Sequence, residues 1–194
     1  MKNVACVLLS IFSVVSLFAI SPEDTIENEK IVLKIPQKMV KVDVKKIPRV
    51  DYLLAYKYPD NDDFELRINV IGKSLTADLD KIRDKERLNA TMFAMVVAMS
   101  HEVLGRDENP PKFSFLPDES IEKAYNGKIC AVYECEDCKS KFAGKFKHIM
   151  MFTFYKKNGA YVELYMCFKN KNALEKMKNT REFAEAFVCF HYAK

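Results

Sequence analysis

The dipeptide Asn158-Gly159, set between the apolar runs of residues 146–156 and 160–168, constrains this chain more than any other feature. Asparagine and glycine accept the positive backbone angles of a tight turn, so the flanking runs must return on each other as an antiparallel pair. Residues 128–135 read as a third strand of the same meander. Upstream, Phe64, Leu66, Ile68 and Val70 alternate with Glu65, Arg67 and Asn69, the period of two expected where one face of a strand meets a core. Residues 52–58 form the preceding strand, stopped by the turn formers Pro59, Asp60, Asn61, Asp62 and Asp63. Shorter strands are expected at 31–35 and 39–44; Pro36, Pro48 and the lysines around them suit a sheet edge.

From about Thr76 the period changes. Leu79, Ile82, Leu88, Met92, Met95, Val96, Met99 and Val103 recur mostly every three or four residues, and Gly105 follows them. This predicts one helix of roughly 25 to 29 residues, about 40 Å long. Residues 106–126 hold Pro110, Pro111 and Pro117 and read as an irregular connection with one helical turn near 119–124. Asn179 opens a terminal helix whose stripe is Phe183, Ala186, Phe187 and Phe190. The expected fold is α+β, a mainly antiparallel sheet flanked by a long central helix and a C-terminal helix. With 194 residues, 49% of them hydrophobic, the chain has the material for one real core, and a disordered or low-complexity chain is excluded.

Three segments carry a resemblance to a known family: Tyr56-Lys57-Tyr58-Pro59, the run Asn158-Gly159-Ala160-Tyr161-Val162-Glu163-Leu164, and the ending Glu185-Ala186-Phe187-Val188-Cys189-Phe190. Over residues 31–191 the chain resembles the PsbP-like proteins. The resemblance implies an α/β/α sandwich and a binding or extrinsic-subunit role, and it supplies no catalytic motif.

The N-terminus has the layout of a secretory signal. Lys2 precedes an uncharged, mostly apolar run from Val4 to Ile20, and the first acid is Glu23. The expected organisation is a signal peptide over 1–19, a flexible leader over 20–30 and a single domain over 31–194. A secreted or periplasmic protein follows, touching a membrane only if the N-terminus stays uncleaved. Removal of Cys6 with the signal leaves Cys130, Cys135, Cys138, Cys167 and Cys189, an odd number for an oxidising compartment.

Cys135-Glu136-Asp137-Cys138 is the one compact group suited to chemistry. Two thiols at this spacing close a small disulfide or supply half of a metal site. The two carboxylates between the sulfurs oppose thiolate formation, which argues against thioredoxin-type catalysis. For a metal, Cys135, Cys138 and His148 are the candidate ligands, with His101 or Cys130 as a possible fourth. His148 also shares an apolar strand pattern with Met150, Phe152 and Phe154, where a core histidine is the alternative. Cys167 and Cys189 are candidates for a strand-to-helix disulfide or for buried free thiols, and His191 is expected at the surface. Met92, Met95 and Met99 line one helical face, which suits either core packing or a flexible pocket.

Two basic stretches, Lys38, Lys41, Lys45, Lys46 and Arg49, then Lys139, Lys141, Lys145, Lys147, Lys156 and Lys157, would attract an acidic partner if they converge. With 31 basic and 27 acidic residues, the net charge of +4 is too small for a dedicated nucleic-acid binder. Gly-rich phosphate loops and nucleophile elbows are missing, and His101-Glu102 lacks the second histidine of a zincin because position 105 is Gly105. The expected function is an exported, non-catalytic binding or accessory role, without cofactor, toward a protein or envelope component. It would use a rim built from 106–126 and 135–145. Two other readings are a thiol-redox or metal-binding protein centred on the Cys-x-x-Cys loop, and a lipid or small-ligand carrier beneath the long helix.

Overall fold

The computed structural model describes residues 24–26, 29–43, 52–72, 77–101, 105 and 113–194. The expected signal segment, Lys45, Lys46, Arg49 and the rim residues 106–112 lie outside them. In chain order the elements are β1 (Asp24–Ile26), β2 (Ile31–Leu33), β3 (Val40–Val42), β4 (Tyr52–Lys57), β5 (Phe64–Ile71), α1 (Lys85–Met99), β6 (Phe113–Phe115), α2 (Asp118–Tyr125), β7 (Ile129–Glu136), β8 (His148–Tyr155), β9 (Tyr161–Phe168), α3 (Lys171–Met177), α4 (Arg181–Phe187) and β10 (Phe190–Tyr192). Seven strands make one antiparallel sheet in the order β3-β4-β5-β9-β8-β7-β6, and β1, β2 and β10 make a smaller one.

The hairpin forms where the Asn-Gly signal lies. Gly159 N–H donates to the Lys156 carbonyl at 3.0 Å, and Asn158 takes the left-handed backbone at φ 57°. A Cβ on Gly159 would come within 3.2 Å of the same carbonyl, so the turn needs the missing side chain. The resulting register sets Met150 opposite Met166 and Phe154 opposite Val162. Even-numbered side chains of β5, β7, β8 and β9 therefore share one sheet face, and odd-numbered ones of β7, β8 and β9 share the other.

Both faces are buried. On the first, Leu66, Ile68, Phe152, Phe154, Leu164 and Phe168 pack against Ile121 and Tyr125 of α2, Leu174 of α3, Phe183 and Phe187 of α4, and the small sheet. On the second, Tyr133, Ile149, Met151 and Tyr165 meet Val96 of α1 and the β7–β8 loop. Leu88 and Met92 of α1 cover Ile129, Tyr155 and Tyr161. The chain is thus an α+β sandwich with helices on both faces of an antiparallel sheet.

Three expectations are corrected. The single long helix is broken: a 3-10 turn at Leu79–Lys81 is followed by extended backbone at Ile82, and α1 has only 15 residues. Asp84 starts the helix anew, its side chain accepting the Arg87 N–H at 2.7 Å. Asp80, within that 3-10 turn, reaches the hairpin, where its Oδ1 accepts from the Tyr155 hydroxyl and the Asn158 N–H. The terminal helix forms as α4, capped by Thr180, whose hydroxyl oxygen accepts from Phe183 N–H, and it ends at Phe187; the helix α3 before it was not expected. Phe190 leaves the helical stripe and pairs with Leu33 in the small sheet. In the leader, Asp24–Ile26 is strand β1, paired antiparallel with β2.

Candidate functional site

The β4–β5 turn, the β7–β8 loop and the β9–α3 junction meet at one end of the sandwich. Lys169 N–H donates to the Asp63 carbonyl at 2.9 Å, and Lys147 N–H reaches the carbonyls of Phe168 and Lys169. These backbone bonds fix three chain crossings relative to one another, and every candidate group below lies on or beside them.

The cysteine loop folds under the second sheet face. Asp137 turns the chain at φ 57°, Cys138 N–H donates to the Lys147 carbonyl, and the sulfurs of Cys135 and Cys138 are joined as a disulfide with Cα atoms 6.1 Å apart. Both cysteines are fully buried. Arg67 of β5 holds the loop down. Its Nε is 2.6 Å from Glu65 Oε1, its Nη1 donates to the Phe142 carbonyl, and its guanidinium lies 4.6 Å from the Phe142 ring centre and 5.5 Å from that of Phe146. Behind it, buried Glu163 accepts from Asn69 Nδ2 at 2.6 Å and from the Tyr165 hydroxyl at 2.7 Å. Each of these side chains makes an internal pair.

The candidate ligand set of Cys135, Cys138 and His148 does not assemble, and the alternative of a small Cys135–Cys138 disulfide is the one that forms. Cys135 pairs in register with Ile149, one position from His148, so the imidazole leaves from the opposite sheet face. For Cys167 and Cys189 the same geometry excludes the strand-to-helix disulfide and leaves the other reading, buried free thiols. Cys167 lies in the second-face core and Cys189 in the first, with the sheet between them, and both are free thiols. Cys130 is also free and buried. His191, expected at the surface, is half-buried in β10.

Burial pushes the thiol of Cys167 up to about 12 and raises those of Cys130 and Cys189 as well. Native protein lacking residues 1–19 should therefore leave an aromatic disulfide reagent unreacted at pH 8. In guanidinium three thiols should appear, those of Cys130, Cys167 and Cys189, and the Cys135–Cys138 pair should follow only after reduction. Rapid native labelling of even one thiol would contradict this packing.

On the first face the register brings together residues that sequence reasoning did not combine. Glu136 pairs with His148 and Glu134 with Met150. Glu134, Glu136 and His148 consequently project from the same rim, with ligand-type atoms all within 4.8 Å of one another. His148 is only 2% exposed. Its Nε2 lies 2.7 Å from Glu134 Oε1, a contact of charge that lacks hydrogen-bond geometry. Lys171 Nζ, at the start of α3, donates to Glu136 Oε1 at 2.8 Å. The neighbouring imidazole and ammonium hold the carboxyls of Glu134 and Glu136, respectively, below the ordinary carboxylate range. The one available signal was Glu134-x-Glu136, which puts two carboxylates on one strand face; their histidine could be found only from the register.

Beside this rim a cleft of about 400 Å³ opens between the β4–β5 turn and helices α3 and α4. Pro59, Phe64, Ala173 and Met177 give it an apolar floor, and Lys38, Lys176, Asp60, Asp63 and Glu182 ring it with both signs of charge. The Tyr58 hydroxyl fixes one wall by donating to the Glu182 carbonyl at 3.1 Å.

Of the expected rim, the helical turn near 119–124 is present within α2. Residues 113–126 form an edge strand and a helix that buries Ile121 and Tyr125. The second basic stretch is itself divided, Lys139 to Lys147 and Lys156 to Lys157 standing at opposite ends of β8, roughly 25 Å apart at strand rise. The methionines of α1 are packing groups. Met92 is fully buried, Met95 joins its cluster, and Met99 packs on the neighbouring one. Among the described residues no helix is long and apolar enough to cross a membrane.

These features define an α+β sandwich with a surface cleft and an adjoining acidic and histidine rim. The fold is similar to that of cyanobacterial PsbP from Synechocystis sp. PCC 6803 in its solution structure, with a TM-score of 0.48 and 12% identity over 91% of this chain and 94% of that one. The likeness is one of fold. No family model matches the chain, and no curated protein does.

Proposed function

We propose that the chain is an exported, non-catalytic binding or accessory protein, whose partner, a protein or envelope component, docks in the cleft between the β4–β5 turn and helices α3 and α4. The cleft carries this reading: an apolar floor ringed by charges of both signs is the composition of a polypeptide docking site. Arg67, Asn69 and Glu163 each make an internal pair, and the Cys135–Cys138 disulfide is fully buried. Both facts favour recognition over thiol chemistry. Export rests on the signal-like run from Val4 to Ile20. The net charge of +4 argues against nucleic acid as the partner.

The test pairs localisation with contact mapping. A photo-crosslinking residue at Lys176, in the cleft, should give a discrete adduct in the native envelope fraction, whereas the same residue at Lys85, on α1, should not. Asp60→Lys should abolish the adduct without moving the melting temperature. Full-length chain with its N-terminus intact in the cytosol, or equal adducts from both positions, would overturn the proposal.

A further inference from the structure

The rim of β7 and β8 holds a donor set that a docking role does not use. Glu134, Glu136 and His148 come from two adjacent strands whose register is locked by the antiparallel ladder from Ile129–Tyr155 to Glu136–His148. The imidazole is buried and rigid: it is 2% exposed and its ring stands edge-on to Phe168 at 6.4 Å. Its Nε2 lies 2.7 Å from a carboxylate oxygen of Glu134, off the line of a regular hydrogen bond. Here it faces two carboxylates, all three groups having ligand-type atoms within 4.8 Å.

From this geometry we propose that Glu134, Glu136 and His148 bind one divalent transition-metal ion of the zinc class. One imidazole and two carboxylates suit zinc, whereas the all-oxygen sets preferred by calcium and magnesium exclude the histidine. Zinc bonds of about 2.0–2.2 Å to nitrogen and oxygen place tetrahedral ligands roughly 3.4 Å apart. His148 and Glu134 need only part slightly to reach that spacing. Glu136, half-exposed at the strand end, swings in and releases Lys171, whose side chain is 64% exposed and returns to water at small cost. Three protein ligands leave a fourth position open to water or to a group brought by another molecule. Lys171 is thus a competing cation for the site, and this sets the direction of its substitution. The proposal is independent of the docking role, because its test uses the metal alone.

Full-length protein stripped with chelator is titrated with zinc chloride by calorimetry, with calcium and magnesium chlorides as controls. The expected result is one zinc per chain with a micromolar or lower Kd and no heat from calcium or magnesium. Glu136→Gln and Glu134→Gln should each weaken binding at least tenfold, and Lys171→Met should tighten it several-fold. His148→Gln should abolish binding. Since that variant may lose packing, the exposed Glu136→Gln carries the decision, with zinc raising the wild-type melting temperature and leaving that of Glu136→Gln unchanged. Zinc binding weaker than millimolar would overturn the proposal. So would wild-type affinity in both glutamine variants, which places the ion elsewhere, or weaker binding in Lys171→Met.

Discussion

Phe168→Ala should lower the unfolding free energy by about 3–5 kcal/mol, the range for emptying a buried aromatic site. Phe168 ends β9 with no exposed surface, its ring 5.2 Å from Phe64, 6.3 Å from Phe183 of α4 and 6.4 Å from His148. Removing the ring opens a void among three elements at once. Backbone bonds from Lys147 and Lys169 anchor the strand end, so the walls collapse only partly. The loss is comparable to much of a typical domain's net stability. Phe115→Ala makes the control: this ring is 36% exposed on the edge strand β6, and its loss should cost under about 1 kcal/mol. Urea midpoints with unchanged slopes would measure both. A Phe168 cost near that of Phe115 would mean that α4 does not pack on the sheet as described.

The same residue shows what the sequence made legible. Its place in a strand follows from the Asn158-Gly159 turn and the apolar run after it, and the alternation of residues 64–70 marked β5 equally well. These signals are local: a turn residue or a period acts within a few positions. Local signals could not tell that β5 lies beside β9, since that pairing joins residues about a hundred positions apart. Nor could they separate one long helix from a 3-10 turn followed by α1. The apolar period runs through both, and the break depends on Asp80 reaching the hairpin at Tyr155 and Asn158. Phe190 was misplaced similarly: its spacing from Phe183 and Phe187 is helical, and its partner Leu33 is remote.

The site was less legible because it depends on parity. A shift of one residue moves a side chain to the other sheet face. Cys135 and His148 looked compatible as ligands from residue type and separation, yet their strands hold them on opposite faces, while Glu134 and Glu136, between and beside the cysteines, reach the histidine. Cys167 and Cys189 fail by the same rule. The cleft had no sequence signature, since its walls come from residues 38, 58–64 and 173–182.

Arg67→Met carries the second large effect, about 3–5 kcal/mol of lost stability, because it leaves a mostly buried carboxylate without its counter-charge. Glu65 is 13% exposed at its side chain and Arg67 8%. The guanidinium also satisfies the Phe142 carbonyl and stacks on two rings, so Arg67→Lys should recover only part of the loss: an ammonium restores the charge but has neither the fork nor the flat face. The double variant Glu65→Leu with Arg67→Met should come back to within about 1 kcal/mol of wild type, since replacing both members of a buried pair removes the desolvation cost together with the attraction. The local consequence differs from the global one. Without Arg67 the hydrogen bond and ring contact that tie Phe142 to β5 are lost, so amide exchange across residues 138–146 should quicken in both variants, and dithiothreitol should reduce the Cys135–Cys138 bond faster than in wild type. Stability that recovers while the loop remains loosened would separate the guanidinium's role as a clamp from its role as a counter-ion. A double variant no more stable than Arg67→Met alone would show that the lost bond to Phe142, and not the stranded charge, carries the cost.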